Sequence, residues 1–431
     1  MRYYSLNAQA PAVSFREAVV HGQAPDKGLY FPEQIPQLPA HFWAAINDLD
    51  DTEIALRILQ PYVAEDIAAS VLEQIIAETL SFPLPVRRVT TDRSVLELFH
   101  GPTLAFKDVG ARFMSRCLAH FAGGLQGRVV VLVATSGDTG GAVANSFYGV
   151  PNTDVVVLYP SGKVSPVQER QIAALGGNVH ALEVDGDFDQ CQALVKQAFA
   201  DEALRAAVYL TSANSINVAR WLPQQLYYAL AWKQWADKDR APVVSVPSGN
   251  FGNIGAGLLL QRSGLPVKHF VAACNANDAI PTYLEKGAFV RKAAQATLSN
   301  AMDVADPSNF VRILALFNND IALLRTALQA TRTSDIETRD TIRSVFNDFG
   351  YVLDPHTAVA WHGLAQVAPA GAHGLVLSTA HPVKFPDVVS EETGAAVAMP
   401  SSVEGLMQEQ LRSIKMEADY APLRALLQQF D

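Results

Sequence analysis

The sequence is poor in cysteine, in basic residues and in long apolar runs. Its three cysteines, Cys117, Cys191 and Cys274, lie far apart and form no CxxC pair, which favours reduced thiols over a disulfide framework. Acidic residues outnumber basic ones by 43 to 33, and the net charge of -10 argues against nucleic-acid binding. No apolar run approaches the ~20 residues that span a bilayer, and no secretory signal is visible. We therefore expect a soluble, cytoplasmic protein without nucleic-acid or membrane partners.

Motifs for metal ions and nucleotides are lacking as well. The ten histidines form no HExxH pair or other close ligand spacing, so we expect no metal. Neither GxxxxGK[ST] nor GxGxxG occurs, so nucleotide binding has no specific support. What the chain does have is 431 residues, of which 49% are hydrophobic, and this predicts two or three domains with a large core.

Six short apolar runs are the clearest structural signal. They are rich in β-branched residues and lack polar alternation, which is typical of strands buried on both faces of a parallel α/β sheet. The runs cover residues 129–135, 154–160, 178–184, 242–248, 269–275 and 373–379. Because they fall into two clusters, we expect two open α/β lobes with a cleft between them. Ligands should bind at the carboxyl ends of the strands.

The same patterns suggest three contiguous segments. Residues 1–95 show helical spacing and breaks marked by proline, so we expect a helical N-terminal region packed on one lobe. Residues 96–210 would form the smaller α/β lobe, and residues 211–431 the larger one.

A single lysine stands out in "ELFHGPTLAFKDVGARFM", residues 97–114. Lys107 lies among small and apolar residues, between Phe106 and Asp108. The common interpretation is a surface lysine just before a helix. The functional alternative is an amine whose pKa is lowered by apolar neighbours, so that it can form a Schiff base with a carbonyl cofactor.

Three turns that follow predicted strands are rich in small polar residues. "TSGDTGGAVA", residues 135–144, could bind a carboxylate at the start of a helix, or could be an ordinary helix start capped by Asp138 or Thr139. "SVPSGNFGNIGAG", residues 245–257, could wrap backbone N–H groups around a phosphate. "VLSTAHPVKF", residues 376–385, could turn the hydroxyl of Ser378 or Thr379 to a ligand ring nitrogen, although a strand-end threonine bonded to backbone is more common. His381 and Lys384 are ambiguous in the same way.

A fourth segment, "TSANSINVARWLPQQ", lies between the two strand clusters at residues 211–225. It places Asn214, Ser215, Asn217 and Arg220 within one and a half helical turns. An arginine with amide and hydroxyl donors could hold a second phosphate, but similar turns precede many helices.

Taken in order, "HGPTLAFKD", "ATSGDTGGAVA", "SANSIN", "VPSGNFGN", "TLSNAMDV" (residues 297–304) and "LSTAHPVKF" resemble the long form of threonine synthase. "GLYFP", residues 28–32, extends the resemblance over nearly the whole chain. That family uses pyridoxal 5'-phosphate (PLP) and has the tryptophan-synthase-β fold, PLP fold type II. The resemblance therefore implies the α/β fold of two parallel-sheet lobes expected above.

The resemblance also implies the roles of individual residues. Lys107 is similar to the Schiff-base lysine, and Thr379 to the residue that faces the pyridine nitrogen. The implied cofactor-phosphate loop is Gly249, Asn250, Phe251, Gly252 and Asn253. The implied substrate contacts are Ser136, Gly137, Asp138, Thr139, Asn214, Ser215 and Arg220.

At two positions the residue differs from the one that the similar proteins carry. Asp138 stands where many members of the wider fold type carry Asn, so its carboxylate would need a protonated partner or a different tilt. Asn253 stands where several threonine synthases carry Asp, and this change should be mild if the backbone binds the phosphate.

The implied reaction converts O-phospho-L-homoserine and water to L-threonine and phosphate, the last step of threonine biosynthesis, with Lys107 as general base. Because fold does not determine function, alternatives stay open. A phospho-amino-acid lyase or a serine/threonine dehydratase could use the same scaffold, and a dehydratase would need no second phosphate site. A non-catalytic, metabolite-binding descendant is the alternative from a different class, although Lys107, the loop glycines and Thr379 together speak against it.

Overall fold

A computed structural model describes residues 1–122, 127–290, 292–369 and 371–430. The strands within these ranges are β1 (Tyr3–Ser5), β2 (Tyr30–Pro32), β3 (Val86–Arg88), β4 (Arg93–Glu97), β5 (Val129–Ala134), β6 (Thr153–Pro160), β7 (Val179–Asp185), β8 (Tyr209–Ser212), β9 (Val243–Pro247), β10 (His269–Cys274), β11 (Leu328–Arg332), β12 (Gly374–Ser378) and β13 (Ile414–Glu417).

The α-helices in the same ranges are α1 (Phe15–His21), α2 (Ala40–Ala44), α3 (Asp51–Val63), α4 (Ala69–Thr79), α5 (Lys107–Ala122), α6 (Asp138–Phe147), α7 (Pro166–Ala173), α8 (Phe188–Ala200), α9 (Glu202–Ala207), α10 (Val218–Trp221), α11 (Gln225–Gln234), α12 (Gly252–Arg262), α13 (Ala279–Lys286), α14 (Phe310–Leu316), α15 (Ile321–Ala327), α16 (Asp335–Phe349), α17 (Pro355–Val367), α18 (Pro386–Thr393), α19 (Ser401–Glu404) and α20 (Tyr420–Leu427).

Two open sheets form the frame of the molecule, which confirms the predicted α/β class. The larger sheet has the order β11-β10-β9-β12-β4-β3 and the smaller one β13-β7-β6-β5-β8. The paired strands are parallel except for β3, which runs antiparallel to β4 at the edge of the larger sheet. All six predicted apolar runs are strands of these sheets.

Strand β5, which lies between β6 and β8 in the smaller sheet, shows why its run has no polar alternation. Val129, Val131 and Val133 face one hydrophobic cluster, which also contains residues of the N-terminal helices and of α5. Val130 and Leu132 point the other way, into a cluster formed with α8 and α20. Since both faces are covered by helices, every position along the strand is buried and favours an apolar side chain.

The sheets do not follow the contiguous segments expected from the sequence. Strand β4 (Arg93–Glu97) pairs with β12 of the larger sheet, and β3 (Val86–Arg88) pairs with β4 at its edge. Residues 1–95 are therefore not wholly helical and do not end at a lobe boundary. Conversely, β13 (residues 414–417) returns from the far end of the chain to pair with β7 of the smaller sheet. In both cases a strand joins its sheet by pairing with a strand that is distant in the sequence.

The N-terminal region contains two more strands that the helical prediction missed. Strands β1 and β2 form a small antiparallel sheet, with Tyr3 opposite Pro32. Helices α1 and α4 pack on α5, and α3 packs on α11, so this region covers helices of both lobes. Across the described ranges, no helix is long and apolar enough to cross a membrane.

Candidate active site

Lys107 is the first residue of α5, and the loop before it is joined to the end of β12. The Phe106 N–H donates to the Thr379 carbonyl at 2.9 Å, and the His381 N–H donates to the Leu104 carbonyl at 3.0 Å. Strand β12 therefore brings Thr379 next to Lys107 although 272 positions separate them in the chain. This places two predicted site residues at the carboxyl edge of the larger sheet, where ligands bind in such folds.

The turn before Lys107 is built around the buried carboxylate of Asp108. The Thr103 N–H donates to Asp108 Oδ2 at 2.9 Å. A Cβ at Gly101 would lie 2.4 Å from the same oxygen, so a larger residue there would displace the Asp108 side chain. Leu104 adopts a φ of 57°, a left-handed conformation that is costly for a residue with a side chain. These constraints fix where α5 begins and hence where the amine of Lys107 lies.

The environment of Lys107 favours the functional interpretation over a surface lysine. Burial lowers its pKa from 10.5 to about 8; Asp138 acts in the opposite direction, and Arg220 and Lys384 lower the pKa further. Its Nζ makes no hydrogen bond or ion pair with any residue that the structure describes. An amine with this pKa is partly neutral near physiological pH and can act as a nucleophile or base.

Asp138 has the protonated partner that its carboxylate requires, and this partner is Lys384. Lys384 Nζ lies 2.7 Å from Asp138 Oδ1, and both side chains are almost completely buried. Gln168 Nε2 donates to the same oxygen at 2.9 Å. Burial alone would raise the pKa of Asp138, but Lys384 and Lys107 outweigh it and hold the pKa well below its usual range. We call Lys107, Asp138, Lys384 and Gln168 the charged corner.

The loop that carries Asp138 follows β5, and α6 begins earlier than the sequence suggested. Gly137, with a φ of 140°, precedes the helix, so neither Asp138 nor Thr139 is the cap. Thr135 Oγ1 accepts the N–H groups of Gly137 and Gly140 at 3.0 and 2.9 Å. The side chains of Ser136 and Thr139 are half-buried and have no hydrogen-bond partner among the described residues, so both remain available to a ligand.

The predicted phosphate loop, residues 249–253, connects β9 to α12. Phe251 has a φ of 60°, and α12 begins at Gly252, so the loop ends at a helix N-terminus. A Cβ on Gly249 would lie 2.6 Å from Met302 Cα, which is backbone that cannot easily move. This contact explains the "TLSNAMDV" motif: the segment around Met302 packs directly on the loop.

Asn253 is buried in the first turn of α12 with an unused donor. Tyr228 donates its hydroxyl hydrogen to Asn253 Oδ1 at 2.7 Å. The amide nitrogen, Nδ2, is buried and has no hydrogen-bond partner within the described part of the chain. A buried amide donor at a helix N-terminus suits an anion.

The segment with Asn214, Ser215 and Arg220 lies against this loop. Asn250 Nδ2 donates to Ser215 Oγ at 2.7 Å, and Asn309 Nδ2 donates to the same oxygen at 3.0 Å. Arg220 is buried and donates to the Ala213 carbonyl, while its Nε lacks a partner among the described residues. We call residues 249–253 together with Ser215 and Asn309 the amide cradle.

Arg220 also comes close to the lysine helix. On α5, a Cβ at Gly110 would lie 2.8 Å from the Arg220 carbonyl oxygen and 3.2 Å from its Nε. Gly110 follows Lys107 by three residues, so both face the same side of the helix. The segment that carries Ser215 and Arg220 therefore packs on the helix that begins with Lys107.

The two strand-end hydroxyls of β12 differ. Ser378 Oγ lies 2.8 Å from Thr357 Oγ1, so it belongs to a buried internal network. The side chain of Thr379 is buried but makes no hydrogen bond to any described residue; only its backbone carbonyl is engaged. This arrangement leaves the Thr379 hydroxyl open to a ligand.

Sequence reasoning missed four residues of this arrangement. Lys384 was noted as ambiguous, and its role became visible only when the fold brought it to Asp138, 246 positions away. Gln168, Asn309 and Arg312, which donates to the Ser215 carbonyl from α14, carried no motif that distinguished them from ordinary helix residues. Each acts on a site residue from a different element, so only the fold identifies them.

Comparison with known proteins agrees with this geometry. Residues 95–378 match the family described as pyridoxal-phosphate dependent enzyme, residues 2–80 match the threonine synthase N terminus and residues 357–427 its C-terminal region. A threonine synthase from Escherichia coli (strain K12) is 45% identical over 428 residues, covering 99% of both chains.

Two solved structures extend the likeness to three dimensions. The crystal structure of threonine synthase from Escherichia coli has a TM-score of 0.94 at 45% identity and covers 100% of both chains. The PLP-bound threonine synthase from Brucella melitensis also has a TM-score of 0.94, at 36% identity, and covers 100% of this chain and 99% of its own.

Two parallel-sheet lobes with a half-buried lysine beside the end of a strand and a glycine loop at a helix N-terminus define a PLP-dependent enzyme of fold type II. Within that class, the match spans the full length of the chain and includes both terminal regions. The chain belongs to the threonine synthase family.

Proposed function

We propose that this enzyme converts O-phospho-L-homoserine and water to L-threonine and phosphate, with Lys107 as the reactive amine. One observation carries the proposal for Lys107. Of the two lysines beside Asp138, Lys384 is held in an ion pair at 2.7 Å, whereas Lys107 has no bonded partner within the described ranges. The full-length similarity to threonine synthases supports the choice of reaction.

The residues present fit PLP. For the phosphate, residues 249–253 offer a glycine in close contact with backbone and the N–H groups that open the first turn of α12. They also offer the Asn253 amide nitrogen, which no described residue binds. Lys107 offers an amine for the aldehyde, and the Thr379 hydroxyl is available for the ring nitrogen. Because that hydroxyl is neutral, it would favour a less protonated ring nitrogen than a carboxylate would.

When bound, the cofactor withdraws electrons from the reacting carbons of the substrate. Lys107 Nζ takes the proton from Cα, since a pKa of about 8 makes it neutral near neutral pH far more often than an ordinary lysine. Asp138 stays ionised, because Lys384 and Gln168 both donate to it. The carboxylate thereby adds negative charge beside the amine without taking the proton itself.

The substrate contacts are part of the same proposal. Ser136 and Thr139, whose hydroxyls have no partner in the described ranges, lie at the start of α6 and suit the substrate carboxylate together with Gly137 and Asp138. The substrate phosphate would bind to the Asn214 side chain, the Ser215 hydroxyl and the buried Arg220. This second phosphate site distinguishes the proposed reaction from that of a dehydratase.

We also propose a cytoplasmic location. Its support is chemical: Cys117, Cys191 and Cys274 are all free and buried, which fits a reducing compartment.

The test supplies the purified, PLP-loaded protein with O-phospho-L-homoserine and measures threonine and inorganic phosphate. We expect equal molar yields of the two products. A Lys163→Ala variant, which changes an exposed lysine of the β6–α7 turn, serves as control and should match the unaltered protein. Phosphate or a 2-oxo acid without threonine would contradict the proposed reaction and indicate a lyase or dehydratase on this scaffold.

A further inference from the structure

Arg312, in α14, is completely buried and binds three carbonyl groups from two distant segments. It donates to the Tyr30 carbonyl at 3.1 Å, the Ser215 carbonyl at 3.2 Å and the Ile216 carbonyl at 2.7 Å. Its guanidinium packs 4.6 Å from the ring centre of Trp221. No carboxylate of the described residues lies within ion-pair distance of it. Arg312 therefore holds the "GLYFP" strand and the Ser215 segment together.

Arg312 also fixes the orientation of Asn309, which lies one helical turn before it. Arg312 Nη1 donates to Asn309 at 2.8 Å. Because a guanidinium can only donate, the atom of Asn309 that faces it must be the oxygen. The amide nitrogen of Asn309 then faces the Asn250 carbonyl at 3.1 Å and Ser215 Oγ at 3.0 Å.

The orientation of Asn250 is fixed in the same way. The backbone N–H of Ser308 donates to Asn250 Oδ1 at 2.7 Å, and a backbone N–H can only donate. The Asn250 amide nitrogen therefore donates to Ser215 Oγ at 2.7 Å.

Ser215 Oγ thus receives two N–H donors whose direction cannot reverse. A hydroxyl oxygen has two lone pairs and one hydrogen, so both of its acceptor positions are filled. Its own hydrogen has no acceptor among the described residues. The only role left for this hydroxyl towards a ligand is that of a donor.

We propose that Arg312 and Asn309 are positioning residues that fix Ser215 as a hydrogen-bond donor to a phosphate oxygen. A phosphate dianion only accepts hydrogen bonds, so it matches a hydroxyl that can only donate, whereas a ligand N–H at this position would be rejected. The inference deepens the proposed function, on which it rests for the identity of the substrate. The phosphates of substrate and cofactor share this chemistry, and the test separates them.

The test changes Asn309→Asp in the PLP-loaded protein. Aspartate has nearly the same shape and keeps Arg312 bonded, but it cannot donate to Ser215, so the serine hydrogen turns to the new carboxylate. We expect phosphate affinity to fall roughly 10- to 100-fold, the range for losing a hydrogen bond to a charged group. Three readouts are measured: the KM for O-phospho-L-homoserine, the dissociation constant of inorganic phosphate and that of PLP.

The readouts identify which phosphate Ser215 binds. A loss confined to O-phospho-L-homoserine and inorganic phosphate supports the proposal with the substrate phosphate as ligand. A loss confined to PLP supports it with the cofactor phosphate. If none of the three constants changes by more than about twofold, the proposal is overturned.

A second pair of variants separates hydroxyl direction from added charge. Asn309→Asp is repeated in a Ser215→Ala background, where there is no hydroxyl to redirect. If the hydroxyl is the cause, Asp costs little more in that background; an equal loss in both backgrounds overturns the proposal. Asn318→Asp, an exposed change just after the same helix, controls for charge alone and should leave all three constants unchanged.

Two safeguards keep the test decisive. If Asn309→Asp does not fold, Asn250→Asp removes the other donor to Ser215 while keeping the acceptor for the Ser308 N–H, and the same losses are expected. If the unaltered protein makes no threonine, the proposed function fails. The phosphate and PLP dissociation constants still test the direction of the Ser215 hydroxyl.

Discussion

The charged corner and the amide cradle stabilise their polar groups in different ways. In the charged corner, Asp138 and Lys384 neutralise each other at 2.7 Å, and Lys107 is left as a single amine with a lowered pKa. In the amide cradle, Ser215, Asn250 and Asn309 carry no charge, and their hydrogen bonds point in fixed directions. The first arrangement adjusts the protonation of one group, and the second determines which atoms a ligand must present.

This difference predicts how each part responds to substitution. Removing one member of an ion pair in the charged corner leaves a buried charge, so stability and pKa values should change together. A substitution of Ser215, Asn250 or Asn309 in the amide cradle removes or reverses a hydrogen bond, so ligand affinity should change while folding is largely kept.

Lys107→Ala should have the largest effect. We expect threonine formation to fall by about 10³-fold or more, since one group is lost both as the cofactor's attachment point and as the base. Thermal unfolding should change little, because the lysine has no bonded partner among the described residues. A variant that keeps more than a tenth of the activity would remove Lys107 from the reaction.

Lys384→Met should lower the free energy of unfolding by about 3–5 kcal/mol, because Asp138 is then buried without its cation. The double variant Lys384→Met with Asp138→Leu should recover much of that loss, since both charges are gone. Chemical denaturation of the three proteins measures this directly. Equal losses in the single and double variants would mean that packing, and not the unpaired charge, causes the effect.

Gly249→Ala should lower stability and PLP affinity by less than the preceding variants change their readouts. Its effect should arise from the loop at residues 249–253. The added methyl would lie 2.6 Å from Met302 Cα, and relieving such overlap costs about 1–3 kcal/mol. PLP affinity, measured by fluorescence titration, should weaken accordingly. At Gly252 the nearest atom to an added Cβ is 3.4 Å away, so Gly252→Ala should unfold at nearly the unaltered temperature. Equal unfolding temperatures for the two variants would contradict the close contact.

The smallest effects should appear as shifts in pH dependence. The rate at which cofactor-free protein captures PLP should rise with pH through about 8, since only the neutral amine of Lys107 reacts. Asp138→Asn should move the midpoint to lower pH, because Asp138 raises the pKa of Lys107. Lys384→Met should move it upwards, because Lys384 lowers that pKa. Shifts in the same direction for both variants would contradict these assignments.

The fold class could be predicted from the sequence because short, continuous β-branched runs are typical of strands covered on both faces. The run that became β5 is buried in this way, with alternate residues in two different hydrophobic clusters. The lobe boundaries could not be predicted from such runs, since β4 and β13 joined their sheets through pairing with β12 and β7. Such pairing depends on register between distant segments and leaves little trace in either segment alone.

The residues of the candidate site also differ in whether the sequence alone could predict them. Lys107, Gly249 and Thr379 were predicted as site residues because each lies in a local motif, and these motifs together resemble a known family. Lys384 and Arg312 were not assigned roles, because their partners lie 246 and up to 282 positions away. The sequence thus predicted the groups that we propose to face the ligands, and the structure identified side chains that bind to predicted site residues.

One measurement tests the central claim most directly, namely that Lys107 and not Lys384 is the reactive amine. The PLP-loaded protein is reduced with borohydride and digested, and mass spectrometry locates the lysine that carries the cofactor. We predict that the label lies on Lys107, because Lys384 is held by Asp138 at 2.7 Å. A label on Lys384 would contradict the account of the charged corner and reverse the roles of its two lysines.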